Sequence, residues 1–225
     1  MNSCITCKEA IEHCMSTHTF AFAHLYGDEK IMDMHIHNCC EVYYSISGGK
    51  QFLIDHCLYD IRPGDLFLIN QFESHHLTQI DQQTHERIIL SIDPEYLSKL
   101  STGVTNLGHC FSFRDTRMPH QIHLSPKEQN RFIYFIHELH DDGGMGEDLL
   151  DQAIFLELMV FLNRAFAARC TDAAAPAPAP SSNYHAQVDA ILSYINSHIG
   201  EPLTLAGLSA HFFMSTSYLI YINIP

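Results

Sequence analysis

From residue 19 to residue 92 the apolar positions fall in short continuous or alternating runs, at 19–26, 41–46, 51–54, 65–69 and 86–92. Gly, Asp, Asn and Pro separate them. Short strands punctuated by turn residues predict a β-barrel or sandwich. The polar residues within the runs predict walls that are buried on one face only. A short helix around 8–15 precedes them. Asp93-Pro94 begins a change of character, and 93–124 reads as a short helix followed by irregular chain.

Beyond this the apolar spacing becomes helical. Ser125 as N-cap and Pro126 at the first helical position open a helix whose stripe is Phe132, Ile133, Phe135, Ile136 and Leu139. Asp141-Asp142-Gly143-Gly144 breaks it. A second helix over 147–168 carries Leu149, Leu150, Ile154, Leu158, Phe161 and Leu162. The run AAAPAPAP at 173–180 is a linker, extended in polyproline II over about 25 Å at about 3.1 Å per residue. After it, Val188, Ile191, Leu192, Ile195 and Ile199 have amphipathic-helix spacing, stopped by Gly200 and Pro202. Leu205, Leu208, Ser209 and Phe212 give a second helix, and Ser215 caps a third containing Tyr218 and Leu219.

These elements predict an α+β chain. A terminal segment (1–16) leads into a β-barrel (17–95), a connector and an antiparallel helix pair (96–170), the linker (171–184) and a small helical module (185–225). Such a length, with 46% hydrophobic residues, suffices for a buried core. No apolar run reaches the roughly 20 residues of a membrane span, and no secretory signal opens the chain. The expected location is the cytoplasm, with no membrane partner. Eight cysteines then read as reduced thiols. Cys4-x-x-Cys7 lacks the second ligand pair that a closed zinc site needs. Of the adjacent Cys39 and Cys40, one should pack and the other point away. The net charge of −14 has the wrong sign for a nucleic-acid binder.

Candidate chemistry concentrates between residues 35 and 75. His35, His37 and Glu41 share one face if their strand is unbroken, because side chains two apart on a strand point the same way. Tyr43 and Ser45 share that parity. Pro63-Gly64-Asp65 is a turn that delivers a second strand ending near His75. Three imidazoles and a carboxylate in a barrel mouth suit a small polar ligand or a divalent metal such as iron, manganese or zinc. They equally suit a structural hydrogen-bonded cluster in which Glu41 fixes a histidine tautomer.

This segment, HIHNCCEVYYSISGGKQFLIDHCLYDIRPGDLFLINQFESHHL (35–77), resembles the cupin fold, a double-stranded β-helix barrel. More narrowly, it resembles the sensor half of AraC-type (AraC/XylS) transcriptional regulators. VDAILSYINSHIGEPLTLAGLSAHFFMSTSYL (188–219) resembles the first helix-turn-helix of the same family's DNA-binding unit. The resemblance implies an effector pocket in the barrel, with His35, His37, Glu41, Tyr43 and His75 lining it, and no cofactor. It also implies dimerisation through the helix pair, as a homodimer or with a full-length relative. Ser215, Thr216, Ser217 and Tyr218 would face promoter DNA.

The chain departs from the family pattern after Tyr218-Leu219. The family continues there with a basic stretch and a second helix-turn-helix, where this chain has Ile220-Tyr221-Ile222-Asn223-Ile224-Pro225. No Lys or Arg follows Arg169. The sequence therefore predicts a truncated DNA-binding domain with weak or lost DNA binding. The alternative is a cupin metalloenzyme, of isomerase or dioxygenase type, using His35, His37, Glu41 and His75. The linker and helical module have no place in such an enzyme.

Overall fold

A computed structural model describes residues 6–27, 34–49, 51–55, 57–79, 85–112, 120–139, 144–172 and 202–212, together with 191, 194, 195, 198, 214 and 216. Helix α1 (Cys7–Thr17) opens with a capping box between Thr6 and Glu9. The strands follow: β1 (Phe20–Leu25), β2 (Cys40–Ser45), β3 (Gln51–Ile54), β4 (Cys57–Asp60), β5 (Asp65–Ile69), β6 (His75–Gln79) and β7 (Arg87–Ile92). Helices α2 (Pro94–Leu100) and α3 (His109–Ser112), strand β8 (Gln121–His123), and helices α4 (Pro126–Glu138) and α5 (Glu147–Asp172) complete the first of two compact units.

The strands form two antiparallel sheets, one ordered β1-β7-β2-β5-β8 and the other β4-β3-β6. Their facing sides share one apolar cluster. Ala21, Tyr43, Phe67 and Ile89 come from the larger sheet, and Phe52, Ile54 and Leu77 from the smaller. Ala10 and Cys14 of α1 join it.

The outer side of the larger sheet is also covered. Phe20, Phe22, Val42, Tyr44, Leu66, Leu68, Ile88 and Leu90 pack with Phe132, Phe135, Phe155, Leu158 and Leu162 of α4 and α5. Strands β2, β5 and β7 are therefore buried at every position. This corrects the expectation of walls buried on one face only. A sheet roofed by helices needs apolar residues on both faces, which is why its strands read as near-continuous apolar runs. Cys39 lies in the inner cluster and Cys40 in the outer one, so both pack, on opposite sides of the sheet.

Helices α4 and α5 run in opposite directions. Arg169 near the end of α5 clamps Glu128 at the start of α4, at 2.6 and 2.8 Å, while Phe135 meets Phe161 further along. The Arg169 guanidinium, helped by hydrogen bonds from Ser125, holds the Glu128 carboxyl at about 2 despite partial burial.

Beyond the expected short helix, the described residues within 93–124 also form α3 and β8, where the sequence suggested irregular chain. His75 also arrives differently from expectation. The strand after Pro63-Gly64-Asp65 ends at Ile69, and His75 opens a separate strand, β6, in the other sheet. The turn itself needs Gly64, whose φ is +86°.

In the second unit, α6 (Leu205–His211) is capped by Thr204, whose side chain accepts from Gly207 N at 3.0 Å. Ile191 and Leu208 are buried together, with Tyr194, Ile195, Phe212 and Met214 against them. Among the described residues, no helix is long and apolar enough to cross a membrane.

Candidate functional site

His35 and His75 are brought side by side by their backbones. Each donates its N–H to the other's carbonyl, at 3.2 and 3.1 Å, in an isolated antiparallel bridge. The chain then runs irregularly to Cys40, so the expected unbroken strand from His35 to Glu41 does not form. His37 is held instead by Phe72 N–H, which donates to its carbonyl at 2.8 Å. Glu41, the second residue of β2, shares its parity with Tyr43 of the inner cluster and is 2% exposed. The three imidazoles converge, with ring centroids 4.3 Å apart for His35–His75 and 4.9 Å for His37–His75.

Hydrogen bonding sets the protonation states. Both His37 nitrogens face oxygen acceptors, Nδ1 the Cys39 carbonyl at 2.9 Å and Nε2 the Glu41 carboxylate at 3.1 Å. An imidazole that donates from both nitrogens is a cation. Burial pulls the His37 imidazole down. Hydrogen bonds to Cys39 and Glu41, with the Glu41 charge, outweigh it and raise His37 to about 10. Burial likewise pushes Glu41 up, but the bond to His37 and the neighbouring imidazoles bring it down to about 2.

His75 is different. Its Nδ1–H donates to the Glu73 carbonyl at 2.8 Å. Burial lowers its basicity, so Nε2 presents a lone pair. That atom is buried, has no hydrogen-bond partner among the described residues, and lies 3.9 Å from Glu41 Oε2.

Of the residues singled out from sequence, His35, His37, Glu41 and His75 thus meet. Tyr43 shares the interior, packed on Phe52 and Phe67, with its hydroxyl bonded to His85. Ser45 accepts a hydrogen bond from Gly48 N–H at 3.0 Å. Sequence reasoning missed Arg87 and Ser91. Both are fully buried, share parity with the inward Ile89, and lie opposite Ser45 and Glu41 respectively. Their signal was present as two polar residues at matching parity in the run Arg87-Ile88-Ile89-Leu90-Ser91. Of the DNA-facing candidates, Ser215, Ser217 and Tyr218 lie outside the described residues, while Thr216 is helical and exposed.

The donor set fits a divalent metal. Ligand atoms of His35, His37 and His75 lie within 4.8 Å of one another, and the unpaired Nε2 of His75 is the kind of atom a metal satisfies. Such binding requires His37 to release the Nε2 proton it shares with Glu41, freeing that carboxylate as a further ligand.

The AraC-like ligand binding domain family matches residues 19–159. An uncharacterized HTH-type transcriptional regulator of Bacillus subtilis (strain 168), YbfI, is 24% identical over 176 residues. That match covers 78% of this chain and 58% of the relative, so the chain spans little more than half the relative's length. Two structures of ToxT from Vibrio cholerae superpose with TM-scores of 0.52 and 0.50. Each is 10% identical and covers 91% of this chain and 74% of ToxT, a likeness of fold. With the family match extending over more than half of the chain, from β1 into α5, this chain belongs to the AraC-type regulators and its two-sheet barrel is an AraC-like ligand-binding domain.

Proposed function

We propose that the chain is the sensor-bearing part of a transcriptional regulator, taking a small polar effector at a barrel mouth lined by His35, His37, Glu41 and His75, and that it is not an enzyme. The observation that carries this reading is the set of polar groups in an apolar interior. A buried imidazolium–carboxylate pair lies beside a buried nitrogen with no hydrogen-bond partner among the described residues. Burying an unmatched polar atom costs about 1–3 kcal/mol, which an effector hydroxyl or N–H would recover. Met34 and Ile36, on either side of the half-buried His35, are exposed, so this edge of the cluster lies close to solvent.

A thermal-shift screen of small polar metabolites tests it. One compound class should raise the melting temperature of the wild-type chain, and His37→Ala should abolish the shift. A stabilisation of about 2–3 kcal/mol corresponds to ligand at about a hundred times its dissociation constant. Equal shifts in both proteins would place the ligand elsewhere.

A second reading has a specific observation in its favour. Ligand atoms within 4.8 Å of one another are spaced for an ion rather than a metabolite. Stoichiometric iron or manganese in purified protein, lost in His75→Ala, would establish it. The metal-free effector reading would then fail.

The helices α4 and α5 supply the dimer contact in this proposal. Tyr134, Leu149 and Leu150 are exposed on them, beyond what the barrel covers. A fragment of residues 1–172 should fold and sediment as a dimer at tens of micromolar. A folded monomer would remove the helix pair as the interface.

A further inference from the structure

A second titratable cluster lies outside the histidine site. We propose that Asp55, Glu73 and His120 form a binding site for a divalent transition metal of the zinc class. It stands on its own geometry and does not depend on the effector reading. The three residues come from separate segments, namely the turn between β3 and β4, the loop between β5 and β6, and the residue preceding β8. Their ligand atoms nevertheless lie within 4.8 Å of one another. Ligands about 2.1 Å from zinc lie at most about 4 Å apart, so side-chain shifts of about an ångström close the set.

His120 is 9% exposed, and its Nε2 is buried without a hydrogen-bond partner among the described residues. That atom is aimed into the cluster, 3.3 Å from Glu73 Oε2. The supporting contacts are those a metal site needs around its ligands. Tyr59 Oη is 2.9 Å from His120 Nδ1, on the far side of the ring. Ser74 donates to Asp55 Oδ1 from its N–H and its hydroxyl, at 3.0 and 3.2 Å, and both bonds fall on the same oxygen. Asn70 N–H donates to Glu73 Oε2 at 2.7 Å. Two carboxylates sharing a half-buried space repel each other, and a doubly charged cation between them and the imidazole cancels that repulsion. Mixed carboxylate and imidazole ligation suits zinc or manganese.

Metal held here would staple the start of β8 to the loop that leads into His75 and β6. The main-chain carbonyl of Glu73 is the acceptor for His75 Nδ1–H, so this ion would steady an imidazole of the barrel interior without touching it.

The rival is a plain ion pair between a protonated His120 and Glu73. Zinc titration of the full 225-residue chain, in competition with a chromophoric chelator, separates the two. Wild type, Asp55→Asn, His120→Asn and His35→Ala would be compared, with circular dichroism showing that each is folded. Asp55→Asn is mild, because the amide oxygen can still accept both Ser74 bonds. We expect one zinc equivalent to persist in His35→Ala and to weaken by about a hundredfold or more in Asp55→Asn and His120→Asn. Cobalt substitution should show the same pattern in its visible absorption. The site is refuted if wild type takes up no zinc, if all four proteins bind alike, or if only His35→Ala loses zinc.

Discussion

Glu41→Ala should destabilise the barrel by about 3–5 kcal/mol, the usual consequence of removing one partner of a buried ion pair. For a domain of this size that is a fall of about 6–20 °C in melting temperature. The cause is local. Glu41 and His37 have side chains 3% and 6% exposed, so Ala at 41 leaves a buried imidazolium whose hydrogen bond to Cys39 cannot balance its charge.

The pH dependence carries the same signature. Glu41 is depressed from 4.5 to about 2, so its contribution is complete above about 4.5 and fades as pH falls through 2. His37 is raised from 6.5 to about 10, so its contribution is complete below 6.5 and fades as pH rises through 10. Wild type should be most stable between these limits, near pH 4.5–6.5 as far as this pair is concerned. The difference between wild type and Glu41→Ala should shrink on either side. Parallel stability curves for the two proteins from pH 3 to 9 would show that the pair does not act as an ion pair.

The strands with strong apolar runs were readable, because burial on at least one face imposes a pattern that any alternation search detects. Strands β1, β2, β3, β5 and β7 lie where their sequence placed them, within a residue or two at either end. Strands β4, β6 and β8 were not readable for a physical reason. Cys57-Leu58-Tyr59-Asp60 alternates between half-buried and exposed positions, and Gln121-Ile122-His123 buries one residue of three. Each is a strand by virtue of its neighbour, not of its own composition. The histidine site follows the same division. Parity linked His37 to Glu41, and the pair is there, although the strand between them is not. The arrival of His75 beside His35 depends on β6 pairing with β3, a contact between distant segments that no local pattern encodes. The cluster of Asp55, Glu73 and His120 was invisible for the same reason.

DNA binding by this 225-residue chain alone should be weak. Specific regulators reach about 10⁻⁸–10⁻¹¹ M, and much of that affinity comes from Lys and Arg at phosphates, each contact steepening the salt dependence by about 0.9 in log affinity per decade. The chain has no Lys or Arg beyond residue 169, whereas Asp172, Asp189 and Glu201 are present. Histidine is the remaining source of positive charge there, at His185, His198 and His211. His198 and His211 both lie against Tyr194, with ring centroids 4.1 and 4.0 Å from it, and His198 Nδ1 is spent on the Tyr194 carbonyl at 2.8 Å. Thr216, itself helical and exposed, offers a hydroxyl that can position a backbone contact but neutralises no charge. A gel shift against the promoter next to its own gene, at about 50 mM salt where electrostatic binding is strongest, should show no specific complex below about a micromolar. A sub-micromolar, sequence-specific complex formed by residues 1–225 would show that the module reaches its site without the phosphate contacts on which such proteins ordinarily rely.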